Sequence, residues 1–77
     1  MKRAPTAVKV AKAVAARLRQ KREERGWSQE ELGRNARIHR TYIGAIERGE
    51  KNLTVMTLYR LAQAFGCPVS ALLPEEP

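Results

Sequence analysis

The segment SQEELGRNARIHRTYIGAIERG, residues 28–49, decides how this chain folds. Ser28 followed three positions later by Glu31 is a capping box, in which two side chains satisfy backbone N–H groups that a helix N-terminus leaves unpaired. Leu32 and Ala36 continue an inward apolar face at helical spacing. These residues predict a short helix that begins just after Ser28.

A second short helix follows after a tight turn. It begins near His39 and covers residues 40–48, with Ile43 and Ile46 on its inward side. Gly49 is the predicted stop, because glycine accepts the left-handed conformation in which many helices end. The other side of this helix carries Arg40, Thr41 and Ala45. Two helices joined in this way can place the second one in a DNA major groove.

Three further helices are predicted around this pair. The first starts between Thr6 and Ala13 and ends at Arg25, the fourth covers residues 55–65, and a short fifth covers residues 68–73. The expected fold is all-α, a compact five-helix bundle. Its expected divisions are a basic flexible arm at 1–5, a single helix-turn-helix domain at 6–74 and a tail at 75–77.

The composition fits one small domain. With 77 residues, the chain is close to the size at which a single core gives only marginal stability. No apolar run approaches the roughly 20 residues that cross a bilayer, so no membrane association is expected. The single cysteine, Cys67, allows no intrachain disulfide and suits a reducing cytosol. We therefore expect a cytoplasmic, nucleoid-associated protein.

Positive charge is concentrated at the N-terminal end. Residues 1–25 hold nine Lys or Arg and two Glu, whereas residues 26–77 hold six basic and six acidic residues, so the whole net charge of +7 lies in the first third. One interpretation is a surface that faces DNA phosphates. A solvated helix face explains the same pattern equally well. Binding to an anionic membrane is less favoured, because Ala and Val on the apolar side bury little area.

Residues 14–73 resemble the Xre family of helix-turn-helix domains, to which the small lambdoid phage repressors and Cro proteins belong. The matching blocks are LRQKREERGWSQEELG, RTYIGAIERGEKNLT, LYRLAQAFG and the closing VSALL. The second block is most similar to the controller proteins of restriction-modification systems. The resemblance implies a lambda-repressor-like DNA-binding fold.

Four residues are candidates for contact with DNA bases. Arg40 and Thr41 lie at the exposed start of the third helix, where arginine can pair with guanine and a threonine methyl can pack on thymine. Ala45 could touch a thymine methyl or let the helix approach closely. In the controller resemblance, Lys51 corresponds to a basic loop residue that can reach bases. The role of Gly44 stays open between close approach of the DNA and relief of crowding beside Tyr42 or Trp27.

Other polar residues are expected to contact the DNA backbone. The N-terminus of the second helix attracts a phosphate, and the resemblance implies that Gln29 binds phosphate and braces the third helix. Tyr42 could bond a phosphate or lie partly buried. His39 is interpreted mainly as a weak helix cap. The full set of candidate backbone contacts is Arg17, Ser28, Gln29, Tyr42, Arg48 and Asn52.

Several residues are expected to be structural. Trp27 immediately precedes the Ser28 cap, the position whose hydrophobic side chain packs on the helix that it introduces. The family resemblance implies a partly buried salt bridge between Arg22 and Glu47. Arg37 stands at the turn where many helix-turn-helix proteins have glycine, which suggests a slightly different turn geometry.

Dimerisation is expected, because one recognition helix reads too few base pairs to select a genomic site. The predicted homodimer interface uses the last two helices, through some of Met56, Tyr59, Phe65, Val69, Leu72 and Leu73.

The residue inventory argues against an enzyme. The chain has one histidine and one cysteine, too few for a zinc site, and no cofactor or small-molecule ligand is expected. The favoured function is a sequence-specific regulator that binds a palindromic operator in double-stranded DNA as a dimer. The alternatives are an Xre-type antitoxin that binds a toxin and a non-specific nucleic-acid binder.

Overall fold

The computed structural model describes residues 6–75 and shows four α-helices. They are α1 (Ala7–Glu24), α2 (Gln29–Ala36), α3 (Arg40–Glu47) and α4 (Val55–Phe65), followed by a C-terminal 3₁₀ turn, Val69–Leu72. The described residues contain no β-strand. The predicted arm at 1–5 and the last two residues of the predicted tail lie outside the described residues.

Short polar side chains fix where the helices begin. Thr6, Ser28 and Thr54 each accept a hydrogen bond from the backbone N–H three residues ahead, at 3.2, 3.0 and 3.1 Å. At Ser28 the capping box is complete, because its own N–H donates to Glu31 Oε1 at 3.1 Å. His39 caps α3 through Nδ1, which accepts from the backbone N–H of Thr41 at 3.0 Å. These caps place the starts of α2 and α4 where the sequence predicts them.

The core lies where α2 and α3 pack against α1 and α4. Its largest fully buried side chains are Leu18, Leu32, Ile43, Ile46, Leu61 and Leu72. Trp27 packs against this core as predicted, with its ring stacked on that of Phe65 at a centroid distance of 5.6 Å. Arg25 covers the pair, since its guanidinium carbon lies 5.3 Å from the Trp27 centroid. Its Nη2 also donates to the backbone carbonyl of Phe65.

The prediction of a fifth α-helix is wrong. Residues 69–72 form a 3₁₀ turn, with backbone bonds from Ala71 N–H to the Pro68 carbonyl and from Leu73 N–H to the Ser70 carbonyl. Bonds that span three residues characterise the tighter helix, which is used in short pieces. The segment between Pro68 and Pro74 is too short to establish α-helical hydrogen bonding. It nevertheless serves the core, because Leu72 is fully buried.

Two of the residues predicted for a dimer interface are core residues instead. Phe65 lies beneath Trp27, and Leu72 fills the space between the C-terminal turn and the bundle. Because both side chains are buried within one chain, they are not available to an interface, and the predicted set is reduced to the other four residues. Met56 and Tyr59 on α4 are 57% and 50% exposed. Val69 and Leu73 are half-buried.

Among the described residues, no helix combines the length and the apolar character that crossing a membrane requires.

Candidate nucleic-acid interface

The connection between α2 and α3 is held in one conformation. Arg37 adopts the left-handed conformation with φ 60° and ψ 45°, and the Ile38 N–H donates to the Gly33 carbonyl at 2.8 Å. A β-carbon at Gly33 would collide with the Ile38 carbonyl, so glycine permits this close passage of the chain. The expectation that arginine implies a different turn geometry is therefore wrong, since Arg37 adopts the conformation that glycine usually supplies.

A buried carboxylate joins the three helices that surround this turn. Glu47, on α3, accepts from Arg22 Nε at 2.7 Å and from Arg22 Nη2 at 3.0 Å. Gln29 at the start of α2 donates through Nε2 to Glu47 Oε1 at 3.1 Å. Arg19 adds a bond to the Glu47 backbone carbonyl at 3.2 Å. The Arg22–Glu47 pair implied by the resemblance is thus present and includes two further partners.

The electrostatics of this cluster favour the ionised pair. Burial alone would raise the pKa of Glu47, but hydrogen bonds from Arg22 and Gln29, with the charges of Arg22 and Arg19, hold it below its usual range. The hydrogen bond to Glu47 raises the pKa of Arg22, and burial opposes this only in part. Removing either partner would leave the other charged and desolvated, which typically costs about 3–5 kcal/mol.

An open concave surface lies between the N-terminus of α2 and the exposed side of α3. Its lining residues are Arg22, Ser28, Gln29, Glu30, Arg40, Thr41, Gly44 and Arg48. Five of the predicted DNA-contacting residues are therefore neighbours on one surface, three of them from α3 or its end and two from the start of α2. A helix N-terminus with its unpaired N–H groups attracts a phosphate, and the arginines add positive charge.

Arg40 and Thr41 occupy the exposed start of α3. The Arg40 side chain is 65% exposed, yet its Nη1 donates to Glu30 Oε2 at 2.7 Å. Nothing in the spacing of Glu30 and Arg40 along the sequence predicts this pair, because it depends on the angle between α2 and α3. Glu30 is thus a residue of the surface that sequence reasoning missed. The sequence does indicate that Glu30 can form an ion pair, because it lies four residues before Arg34 on α2. The structure contains this pair, with Arg34 Nη1 at 3.3 Å from Glu30 Oε1.

The base contact predicted for Ala45 is wrong. Ala45 is only 7% exposed, within a continuous buried stretch from Ile43 to Glu47. Helix α3 packs against both α1 and α2, so two of its sides are covered and Ala45 lies on one of them. Its methyl group therefore contributes to packing and is not available to a thymine.

Gly44 lines the concave surface and has neither Tyr42 nor Trp27 among its nearest neighbours, so relief of crowding by these two rings is not supported, whereas close approach of DNA stays a prediction. A β-carbon there would lie 3.1 Å from Arg48 Nη1 and 3.4 Å from Gln29 Oε1. Both atoms are flexible ends of polar side chains. Gly44 accordingly leaves room over α3 for the ends of the Gln29 and Arg48 side chains.

Tyr42 of α3 and Lys51 of the following loop contact one another, and neither is among the residues that line the concave surface. The ammonium nitrogen of Lys51 lies 5.7 Å from the centre of the half-buried Tyr42 ring, within the range of a cation–π contact. Asn52 is exposed beside Lys51.

Arg48 pairs with Glu50 through Nε at 2.9 Å, and this bond lowers the pKa of Glu50.

Arg17 does not join this group. Its Nη1 donates to the Ala71 carbonyl at 3.4 Å, which places it against the C-terminal 3₁₀ turn. This contact assigns Arg17 to the packing of that turn on α1, and the predicted contact with the DNA backbone is not supported. Sequence spacing could not show this, because the position of the turn on α1 is a long-range feature.

Clusters of residues able to bind a metal ion are absent from the described part of the chain.

Comparison with known proteins identifies the same arrangement. The helix-turn-helix family HTH_3 matches residues 18–72. Control protein C.SmaI from Serratia marcescens is 41% identical over 63 residues, which cover 82% of this chain and 75% of that protein. The match includes all of α2 and α3.

Solved structures give the same result. The hypothetical transcription factor NHTF from Neisseria superposes with a TM-score of 0.82 at 32% identity, covering 96% of this chain and 85% of that one. The restriction-modification controller protein C.AhdI from Aeromonas hydrophila superposes with a TM-score of 0.78 at 32% identity, covering 80% and 94%. Both the fold and the helix-turn-helix pair are therefore shared with these proteins.

Proposed function

This chain belongs to the HTH_3 family of Xre-like helix-turn-helix proteins, which are DNA-binding transcription regulators, and we propose that it binds a palindromic operator as a homodimer with α3 in the major groove. The observation that carries the proposal is the concave surface at α2 and α3. There the exposed Arg40 and Thr41 lie next to a capped helix N-terminus and to Arg48. This arrangement supports a docking in which the first turn of α3 faces the bases and the N-terminus of α2 faces a phosphate.

We assign base contacts to Arg40, Thr41 and Lys51. Arg40 and Thr41 are exposed on the first turn of α3, the part of a recognition helix that enters the groove. A bidentate arginine–guanine contact contributes about 1–3 kcal/mol of discrimination against other bases. Lys51 would approach the groove from the loop after α3, where the Tyr42 ring limits its movement.

The backbone contacts that remain in the proposal are those of Ser28, Gln29, Tyr42, Arg48 and Asn52. Ser28 and Gln29 flank the free N–H groups of α2, to which a phosphate oxygen is attracted. Arg48 and Asn52 lie at the end of α3 and in the loop that follows it, and Arg48 lines the same concave surface as Ser28 and Gln29. Such contacts fix the position of the protein without reading sequence.

The proposed dimer uses the exposed side of α4. Met56 and Tyr59 are large, exposed and close to one another on this helix, and Val69 and Leu73 of the C-terminal turn are partly accessible. Exposed apolar groups that adjoin one another are typical of an interaction surface. A two-fold dimer would present two copies of α3 to half-sites about one helical turn apart.

The test is selection of bound fragments from a random double-stranded DNA pool at about physiological salt, followed by sequencing. The proposal expects an inverted repeat with a guanine in each half-site. A motif without symmetry would contradict the dimer, and no enriched motif would contradict sequence-specific binding altogether.

Arg40→Ala is the matching variant. We expect it to keep the fold, because the side chain is mostly exposed, and to lose the guanine preference. Lys9→Ala removes an exposed positive charge from α1, outside the residues assigned to DNA contact, and should leave the motif unchanged. Circular dichroism establishes that both variants are folded before binding is compared.

As a regulator, this chain would act without enzymatic activity or a cofactor, in the cytoplasm at the nucleoid. The antitoxin alternative finds no support among the relatives described above, which are named as control proteins and a transcription factor.

A further inference from the structure

The arginine that we assign to base recognition is not a free side chain. Glu30, in the first turn of α2, holds Arg40 Nη1 through Oε2 at 2.7 Å. Its other oxygen, Oε1, accepts from Arg34 Nη1 at 3.3 Å. Arg34 is four residues further along α2, so this second bond fixes the carboxylate on its own helix. Glu30 therefore connects a rigid position on α2 to the first residue of α3.

We propose that Glu30 is a specificity-determining residue that positions the Arg40 guanidinium for recognition of guanine, an inference that rests on the proposed function. A guanidinium has five N–H donors in a planar fork. Glu30 uses Nη1 and leaves Nε and Nη2, which share one edge of the plane. A bidentate contact with guanine O6 and N7 needs two neighbouring donors, so the base and Glu30 can be bound at the same time.

Restriction of Arg40 before binding has an energetic consequence. A long, exposed arginine side chain loses rotamer freedom when a base orders it. Where Glu30 has already restricted the guanidinium, part of that loss precedes DNA binding, which favours the correct complex. The ion pair need not be strong in the free protein, and exposed pairs of this kind are generally weak. Its role is orientation, and the global stability of the fold does not depend on it.

The charge of Glu30 has the opposite effect on DNA that lacks the correct base. Glu30 lies on the same concave surface as Ser28 and Gln29, where phosphates approach in the proposed complex. A carboxylate at this point repels phosphate and lowers affinity for any sequence. The correct site compensates through the oriented Arg40, whereas an incorrect site does not. Glu30 would thus raise the ratio of specific to non-specific affinity in two ways. It strengthens binding to the correct site and weakens binding to every other site.

Glu30→Ala tests this inference with the full chain, the selected operator and a scrambled duplex of equal length. We expect affinity for the operator to fall about tenfold, within the discrimination that a bidentate arginine contact supplies. Affinity for the scrambled duplex should rise, because one negative charge is removed. Repeating the selection with this variant should show a weaker guanine preference at one position of each half-site.

Glu50→Ala is the matched control. It removes the same charge from an exposed residue that pairs with Arg48, near the other end of the surface. We expect it to raise affinity for both duplexes by a similar factor and to leave the selected motif unchanged. An equal effect of the two variants on the affinity ratio would overturn the proposal, because charge alone would then explain Glu30.

The double variant Glu30→Ala, Arg40→Ala provides a second readout. If Glu30 acts through Arg40, its removal should cause no further loss of specificity once Arg40 is absent. A further loss of specificity as large as the loss caused by Glu30→Ala alone would overturn the proposal. Should the native chain select a motif that Glu30→Ala also selects with the same affinity ratio, this inference alone is wrong. If the native chain selects no motif, both the inference and the proposed function are wrong.

Discussion

Among single residues, Arg37 has the backbone conformation with the clearest cost in free energy. It is the one non-glycine residue with positive φ in the described chain, at the turn between α2 and α3. An L-residue in this conformation costs about 1–2 kcal/mol, whereas the entropic cost of glycine is about 0.5–1 kcal/mol. Arg37→Gly should therefore stabilise the fold by up to about 1.5 kcal/mol.

Urea unfolding followed by circular dichroism measures the effect of Arg37→Gly. Arg34→Gly is the control, since glycine inside a helix should cost about 1 kcal/mol. A lower urea midpoint for Arg37→Gly would show that the arginine side chain makes a contribution larger than the backbone strain.

Gly33 and Gly44 look equivalent in the sequence but should respond differently to alanine. At Gly33 the added methyl collides with the rigid carbonyl of Ile38, so Gly33→Ala should destabilise the fold by distorting the turn. At Gly44 it meets the movable ends of Arg48 and Gln29, and alanine gains about 1 kcal/mol of helix propensity. Gly44→Ala should unfold no earlier than the native chain but bind DNA less tightly.

Thermal unfolding and operator binding of these two variants separate the two roles. Equal destabilisation by both substitutions would contradict the distinction, as would Gly44→Ala with native affinity for the operator.

At the scale of helices, Glu47 makes the packing of α1, α2 and α3 sensitive to acid. Its pKa is lower in the folded chain than its ordinary value of 4.5, so the ionised form stabilises the fold above that value. This contribution is lost as the pH falls through the folded pKa. We expect the free energy of unfolding to decrease on acidification below about pH 5.

Glu47→Gln should reduce both the stability at pH 7 and its decline with acid, because the neutral amide neither compensates Arg22 nor titrates. Urea titrations at pH 7 and at low pH measure both quantities. Parallel curves for the native chain and Glu47→Gln would exclude Glu47 as a source of the acid dependence.

The contact between α3 and the following loop predicts a difference between two substitutions of Tyr42. The ring faces Lys51 at 5.7 Å, whereas the hydroxyl is the group that could bond a phosphate. Tyr42→Phe keeps the ring and should retain the base preference assigned to Lys51, with lower overall affinity. Tyr42→Leu should also weaken that preference.

Binding to operators altered at one base pair at a time measures the preference. Identical losses in the two Tyr42 variants would show that the ring does not position Lys51, and unchanged affinity in Tyr42→Phe would exclude the phosphate contact.

The sequence predicts helix starts correctly where they depend on hydrogen bonds between residues close together in the chain. Thr54 and Ser28 cap helices through bonds to N–H groups three residues ahead, and that spacing is visible in the sequence. Predictions were wrong or missing where the burial or the partner of a residue depends on a second helix or turn. Ala45 is buried because α3 packs on two sides, and Arg40 meets Glu30 because of the α2–α3 angle. The burial of Leu72 likewise depends on where the final turn docks.

At the scale of the whole molecule, the proposed dimer predicts that affinity depends on α4. Met56→Glu adds a charge to a residue that is 57% exposed, so the monomer should stay folded while self-association and operator binding weaken. Val8→Glu makes the same change at a 61% exposed valine on α1 and is the control. Its effect should be limited to that of the added charge.

Sedimentation at micromolar concentration, with and without operator DNA, reports the oligomeric state of both variants. The dimer surface would be excluded by a native chain that stays monomeric on its operator, or by a Met56→Glu variant that associates as well as Val8→Glu.

The stack of Trp27 on Phe65 gives this protein a built-in optical reporter. Trp27 is its single tryptophan, and the indole is covered on one side by a phenyl ring and near a guanidinium group. Its emission therefore arises from one defined environment, which exists only while α4 is docked beside the end of α1. Stopped-flow fluorescence of the unlabelled chain would follow that docking directly and measure its rate during folding.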